Sequence, residues 1–150
     1  MKHASFVLVF VLLGFCGVPV AVAAPQSPEN RMVEKINAAR ASEAGLPALR
    51  ASPDLERSAG AFAHWLVRHE QLRHRPTVST NRSYPHSGEA LALHFSLQAQ
   101  VAATLGAWLK SPAHRGLVLT TSMNLVGVGH ARGRLAGRPR TVWVIQVARR

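Results

Sequence analysis

Cysteine is almost absent from this chain of 150 residues, because its one cysteine, Cys16, lies in an apolar N-terminal segment. The remainder can form neither a disulfide framework nor a thiolate site. The sequence also lacks a GxSxG nucleophile elbow, a phosphate-binding loop and a glycine-rich dinucleotide turn. The HEQLRH segment that begins at His69 is not the zinc-protease motif, since its two histidines would lie about 140° apart on a helix.

Carboxylates are scarce and unevenly placed. The chain has seven acidic residues against 18 basic ones, and Glu89 is the last carboxylate in the sequence. A paired-carboxylate glycosidase mechanism is therefore weakly supported, since only Glu70 and Glu89 lie near plausible loop sites. The excess of positive charge predicts attraction to polyanions such as cell-envelope polymers or acidic lipid headgroups.

The N-terminal segment has the pattern of a cleaved secretory signal peptide. A short basic start precedes an apolar run from Phe6 to Val22, which ends in the small residues Ala21, Ala23 and Ala24. We expect the mature protein to be secreted or periplasmic, monomeric and without a membrane span. The predicted segments are a signal peptide over 1–23, an N-terminal tail over 24–28 and one domain over 29–150.

Hydrophobic periodicity predicts helices in the first part of the domain and an antiparallel strand pair in the last, which is typical of the α+β class. The apolar run over 90–95 is compatible with either a strand or a loop. The predicted helices begin at Ser27, Ser52 and Ser96 and end at Gly45, near Glu70 and at Leu109; the predicted strands are 124–131 and 141–148, joined by an exposed connection.

The segment AWLKSPAHRG, over 107–116, ends the third helix and begins another. Ser111 can cap this helix, and Pro112 suits its first position because the N–H that proline lacks would be unpaired there. His114 is then in the first turn, where the positive end of the helix dipole favours a neutral imidazole. Such an imidazole is a potential metal ligand or base.

The residues His74, Glu89 and His114 each follow or begin an element, where functional sites are commonly built. Two imidazoles and a carboxylate can hold zinc and leave one position for water. Without metal, a histidine beside a glutamate can act as a weak general base. The alternative is that these residues lie at unrelated positions on the surface. A second candidate surface, for anionic polymers or lipids, is formed by Arg132, Arg134, Arg138 and Arg140, for which a solvated hairpin is the alternative.

Several segments together carry a family resemblance that covers nearly all of the mature chain. The combination W-x-x-S-P-x-H-R followed by V-G-V-G is the most specific. The matching segments are NAAR from Asn37, GLPALR from Gly45, the helix through Ala61 to Trp65, LRH ending at His74, GEAL from Gly88, AWLKSPAHRGLVL from Ala107, LVGVGHA from Leu125 and VWVIQVA from Val142. In this order they resemble the CAP superfamily (cysteine-rich secretory, antigen 5 and pathogenesis-related 1 proteins) in its short bacterial, cysteine-free form.

This resemblance implies a three-layer α-β-α sandwich with a central antiparallel sheet and a concave face lined by histidines and acidic residues. By motif position, His74 and His114 match the two histidines and Glu89 matches one of the acids. Ala90 stands where the family usually has asparagine, and Ser111 stands where animal and plant members have a second glutamate. The cluster in this chain is therefore a reduced one.

Three functions are compatible with these features. The first is a binding module outside the cell or at its envelope, with His74, Glu89 and His114 lining a cleft and the two histidines holding a divalent metal such as zinc. The second is a metal-assisted hydrolase of a peptide, ester or cell-wall bond, with Glu89 as ligand or base. The third is a basic protein that binds anionic polymers; sequence-specific nucleic-acid recognition has no motif here. A common enzyme activity is not established for the family, and the sequence has no obvious oxyanion hole or nucleophile, so we expect binding rather than catalysis.

Overall fold

The computed structural model describes residues 25–76, 78 and 84–150, so the predicted signal peptide over 1–23 lies outside the described residues. In these ranges no helix is both long and apolar enough to cross a bilayer. The elements in chain order are α1 (Pro28–Ala44), β1 (Arg50–Ala51), α2 (Pro53–Arg68), β2 (His86–His94), α3 (Val101–Lys110), α4 (Pro112–Val118), β3 (Leu125–Leu135) and β4 (Arg138–Arg149).

The four strands form one sheet in the order β1-β3-β4-β2. The long strands β2, β4 and β3 pair antiparallel, and the two-residue β1 adds a parallel edge beside β3. Helix α2 covers one face of the sheet, whereas α1, α3 and α4 cover the other. The predicted α+β class and three-layer α-β-α sandwich are therefore confirmed, with a sheet that is mixed only through β1.

Strand β4 is apolar almost throughout because it lies in the middle of the sandwich and is buried on both faces. Val142 and Val144 pack against the side of α2. Trp143 and Ile145, which alternate with them, pack in the cluster formed with α1, α3 and α4. The sheet thus separates two apolar cores.

Helix α2 approaches β3 at a distance that only glycine permits. A Cβ atom on Gly129 would lie 2.3 Å from the backbone nitrogen of Gly60, and one on Gly127 would lie 2.2 Å from the carbonyl carbon of Leu55. Neither neighbour can move aside, because both are helix backbone. The alternating glycines of the V-G-V-G segment therefore form a shallow track for α2.

The NAAR segment of α1 holds the loop that leads to β1. The Asn37 amide donates to the carbonyl oxygen of Leu49 at 3.0 Å and accepts its N–H at 2.9 Å. One turn later Arg40, which is 1% exposed, donates to the carbonyl oxygen of Pro47 at 3.0 Å and to that of Val118 at 2.8 Å. Burial lowers the pKa of the Arg40 guanidinium, and the ring of carbonyl oxygens compensates the charge.

The prediction of a third helix that begins at Ser96 is wrong, because α3 begins only at Val101. The Ser96 hydroxyl accepts the N–H of Gln98 at 3.0 Å, which is a local turn rather than a helix cap. The carbonyl oxygen of Ser96 accepts the Thr141 hydroxyl at 2.6 Å, so this loop is attached to β4 instead.

The strands are longer than predicted. β2 begins at His86, before the apolar run, and β3 continues through the arginine-containing stretch to Leu135. The connection to β4 is only the pair Ala136 and Gly137, whose φ angles of 49° and 71° suit a two-residue type I′ turn. The Ala136 N–H donates to the Glu70 carboxylate at 2.8 Å.

The glycine track predicts a large effect of a single methyl group. We expect Gly129→Ala to lower the free energy of unfolding by about 3 kcal/mol or more, since α2 must move away from the sheet. Gly106→Ala in α3 is the matched control, because its Cβ would meet nothing within 4 Å and it should stabilise the helix by about 0.5–1 kcal/mol. Urea unfolding followed by circular dichroism measures both; similar values for the two variants would contradict the close approach.

Candidate functional site

Glu89 is a buried carboxylate on the face of the sheet that α2 covers. It lies on β2 directly opposite Gln146 of β4, and its side chain is only 6% exposed. The Gln146 amide donates to Glu89 Oε2 at 2.9 Å. A carboxylate this deeply buried needs further hydrogen-bond donors in place of the water it has lost.

Arg75 supplies the compensating charge. Its Nε donates to Glu89 Oε2 at 3.3 Å, and its Nη2 donates to the carbonyl and hydroxyl oxygens of Ser58 at 3.1 and 3.0 Å. The guanidinium also lies over the ring of Phe62, 4.2 Å from its centre. Arg75 therefore joins the loop after α2 both to α2 itself and to the edge strand β2.

His74 covers the outer side of the same carboxylate. Its Nδ1 lies 3.2 Å from Glu89 Oε1, and its side chain is 55% exposed. The two residues are 15 positions apart in the sequence, and the fold brings them into contact. The result is one buried acid held by Gln146, Arg75 and His74, with an imidazole facing solvent.

His114 belongs to α4, the helix that packs on the other face of the sheet through Leu117 and Val118. The helix that carries it, α4, packs against Gly88, where an added Cβ would lie 2.4 Å from Leu117 Cδ1. Since successive strand residues point to opposite faces, Gly88 faces α4 and Glu89 faces away from it. The structure thus joins His74 to Glu89, whereas His114 makes no hydrogen bond or ion pair with either of them among the described residues.

The donor set does not fit a three-ligand metal site. No group of three histidine, cysteine or carboxylate side chains within the described ranges is placed to hold an ion. Both oxygens of Glu89 already accept hydrogen bonds from Arg75, Gln146 or His74.

The predicted cap of α4 by the Ser111 side chain is not formed, because the Ser111 hydroxyl makes no capping hydrogen bond. The carbonyl oxygen of Ser111 accepts the Arg115 N–H at 2.7 Å.

A groove of about 440 Å³ opens beside His74. Trp65 forms its aromatic floor, with the His69 ring stacked 4.3 Å from its own and the Arg73 guanidinium 5.0 Å from its centre. The groove residues that carry aromatic or cationic groups are Phe62, Trp65, Arg68, Arg73, His74 and Arg75. The groove therefore combines planar apolar surface with several cations.

Three members of this site were not predicted from the sequence, namely Arg75, Gln146 and Trp65. Gln146 had a usable signal, because it is the one amide in the otherwise apolar VWVIQVA strand and therefore needs a polar partner. Arg75 directly follows His74 but has no motif of its own. Trp65 belongs to a helical segment that matches the family, but nothing in the sequence around it indicates a binding role.

The hairpin arginines form a separate surface at the end of β3 and β4. Arg132, Arg134 and Arg138 are exposed. Arg140 is buried beneath Phe95, with its guanidinium 3.9 Å from the centre of that ring.

The order of elements and the motifs within it define a class of α-β-α sandwich domains. Residues 33–147 match the profile of the CAP family, described as the cysteine-rich secretory protein family. The chain belongs to the CAP family, as its sequence motifs predict.

Solved structures of CAP and related proteins show the same fold. An outer surface protein from Borrelia burgdorferi is 20% identical, with a TM-score of 0.63 over 81% of this chain and 91% of that one. An extracellular SCP-domain protein from Bacillus anthracis is also 20% identical, with a TM-score of 0.61 over 85% of this chain and 45% of that longer one. Venom allergen-like protein 4 of Schistosoma mansoni is 13% identical, with a TM-score of 0.61 over 83% and 90%. A comparison with curated proteins found no match.

The network around Glu89 predicts that Arg75 matters for stability far more than its neighbour Arg73. Arg75→Met should lower the free energy of unfolding by about 3 kcal/mol, because Glu89 stays buried without its cation. Arg73→Met removes only an exposed contact to Trp65 and a hydrogen bond to Gln71, so it should cost about 0.5 kcal/mol or less. Chemical denaturation of the two variants compares them directly; equal costs would show that Glu89 does not depend on Arg75.

Proposed function

We propose that this CAP-domain protein is an extracellular binding module whose ligand occupies the groove beside His74. The observation that carries the proposal is the contrast between Glu89 and the groove. Glu89 is buried and bonded to three donors, whereas Arg68, Arg73 and His74 are exposed along the groove and Trp65 is partly exposed. Binding sites commonly combine apolar walls with a few convergent polar groups in this way.

The lining favours an anionic ligand with a planar or apolar portion. Arg68 and Arg73 offer guanidinium groups that suit carboxylates or phosphates. Trp65 offers flat apolar surface for the rest of the ligand, whereas Phe62 is buried beneath Arg75. Arg75 contributes less, because Glu89 and Ser58 already engage its nitrogen atoms.

Glu89 serves in this proposal as a positioning residue for His74. A general base must accept a proton from a substrate or water within hydrogen-bond reach. Both oxygens of Glu89 are occupied and little of the side chain is accessible. This arrangement supports binding over the alternative of metal-assisted hydrolysis.

Two independent observations support a location outside the cell. The N-terminal 23 residues have the charge and hydropathy pattern of a signal peptide. Two structural neighbours are, by their descriptions, an outer surface protein and an extracellular protein. An exported binding module is therefore the function we assign to the chain.

Binding of an anionic aromatic probe, anilinonaphthalene sulfonate, tests the groove. The double variant Arg68→Gln/Arg73→Gln should weaken its binding about tenfold, since two cations beside the aromatic floor are lost. The double variant Arg31→Gln/Lys35→Gln removes the same charge from the exposed side of α1 and should leave the affinity within about twofold. Fluorescence titration measures both affinities; equal losses would attribute the binding to net charge and remove the groove from the proposal.

Zinc titration tests the metal prediction separately. With only His74 and Glu89 in contact, we expect weak binding that His74→Ala reduces and His114→Ala leaves unchanged. Isothermal titration calorimetry of the three proteins gives the affinities. Tight binding that either single variant abolishes would show that both histidines share an ion in solution and would contradict this expectation.

A further inference from the structure

The end of the sheet where β3 turns into β4 carries cations on both of its faces. Ala131 and Leu135 pack toward α2, so Arg132 and Arg134, at the alternating positions of β3, lie on the opposite face. Arg138 pairs directly with Leu135, which places it on the α2 face. We refer to this end of the hairpin together with the loop 95–100 as the tip surface.

Few carboxylates oppose this charge. From residue 90 to residue 150 the sequence contains no acidic residue at all. The carboxylate that reaches the tip is Glu70, and it accepts the backbone N–H of Ala136 at 2.8 Å. The tip surface therefore presents a positive potential toward any anionic partner.

Two large apolar side chains stand beside these cations. Phe95 is 75% exposed and Leu97 is 48% exposed, both on the loop that connects β2 to α3. The loop is fastened to β4 by the hydrogen bond from the Thr141 hydroxyl to the Ser96 carbonyl oxygen. Arg140 supports one face of the Phe95 ring, which leaves the remainder of the ring open to solvent.

We propose that the tip surface docks on an anionic phospholipid bilayer. Phe95 and Leu97 enter the headgroup region, where amphipathic and aromatic groups are favoured. The flanking arginines contact lipid phosphates, as basic residues near a membrane do. A soluble polyanion would engage the arginines equally well but would give no role to the exposed ring and leucine, so the combination favours the bilayer. This surface is distinct from the groove beside His74 and does not depend on it.

Vesicle binding tests this proposal with protein recovered from the exported fraction of an expression host. Sedimentation with phosphatidylcholine vesicles, with and without phosphatidylglycerol, gives the partition coefficients. We expect binding only to the anionic vesicles, and we expect added salt to weaken it. Arg132→Gln/Arg138→Gln should lower the partition coefficient about 25-fold, at about fivefold for each arginine. Phe95→Ala should lower it about tenfold, through the lost apolar contact.

Matched variants distinguish binding through this surface from nonspecific association with membranes. Leu72→Ala removes another exposed leucine, 46% accessible and in a different loop, and should have no effect on partitioning. Arg31→Gln/Lys35→Gln removes two cations from α1 and should weaken binding much less than the hairpin pair. If Phe95→Ala melts at a lower temperature than the wild-type protein, Leu97→Ala replaces it as the apolar variant.

Three results would overturn the proposal. Equal binding to neutral and anionic vesicles would exclude a role for the arginines. Equal losses for the hairpin pair and the α1 pair would reduce the effect to net charge. Undiminished vesicle binding by both Phe95→Ala and Leu97→Ala, with a loss for the hairpin pair, would show contact with anionic groups without insertion, as expected of a soluble polyanion.

Discussion

The contact between α2 and β3 determines where the other functional parts lie. Gly127 and Gly129 let the helix backbone rest directly on the strand, with no side chain between them. A rigid helix placed this closely has little freedom to shift or rotate. This contact therefore fixes Ser58, Phe62 and Trp65 relative to the sheet. The shape of the groove depends on the absence of a side chain at Gly127 and Gly129.

Two buried charges stabilise the sandwich in different ways. Arg40 is surrounded by backbone carbonyl oxygens, so its partners do not depend on which side chains the neighbouring segments carry. Glu89 depends on the side chains of Arg75 and Gln146 and on the exposed ring of His74. A network of side chains can be altered by substitution more readily than one of carbonyl groups. Arg40 thus stabilises the arrangement of the loops, and Glu89 stabilises the surface that we assign to ligand binding.

The sequence was sufficient for features with strong local signals. Helix α2 shows a clear apolar stripe and a Ser-Pro-Asp start, and β4 is a run of buried β-branched residues; both lie close to where they were predicted. The family resemblance was confirmed, and the structure brings Glu89, which motif position had matched to an acid of the family, into contact with His74.

Features that depend on contacts distant in sequence could not be predicted. The segment that begins at Ser96 has a helical apolar stripe. However, the carbonyl oxygen of Ser96 accepts a hydrogen bond from the Thr141 hydroxyl, 45 residues later. The placement of His114 depends on which face of the sheet α4 covers, and the motif around it carries no information on that choice. The continuation of β3 through the hairpin arginines was not predicted, because charged residues are typical of a loop. That these side chains alternate between the two faces of a strand follows only from the strand pairing.

The spacing of the hydrogen bonds along the chain also has a consequence for the order of folding. The β3 and β4 hairpin closes through a two-residue turn, so it can form as a local unit early in folding. The bond between Gln146 and Glu89 spans 57 positions, and the one between Arg40 and Val118 spans 78. We expect the edge strand β2 and helix α1 to join late, since closing such long loops costs entropy before any contact compensates it. A chain that folds in this order would acquire its basic hairpin before the hydrogen bond that joins Gln146 to Glu89, so the tip surface would form before the network that lies beside the groove.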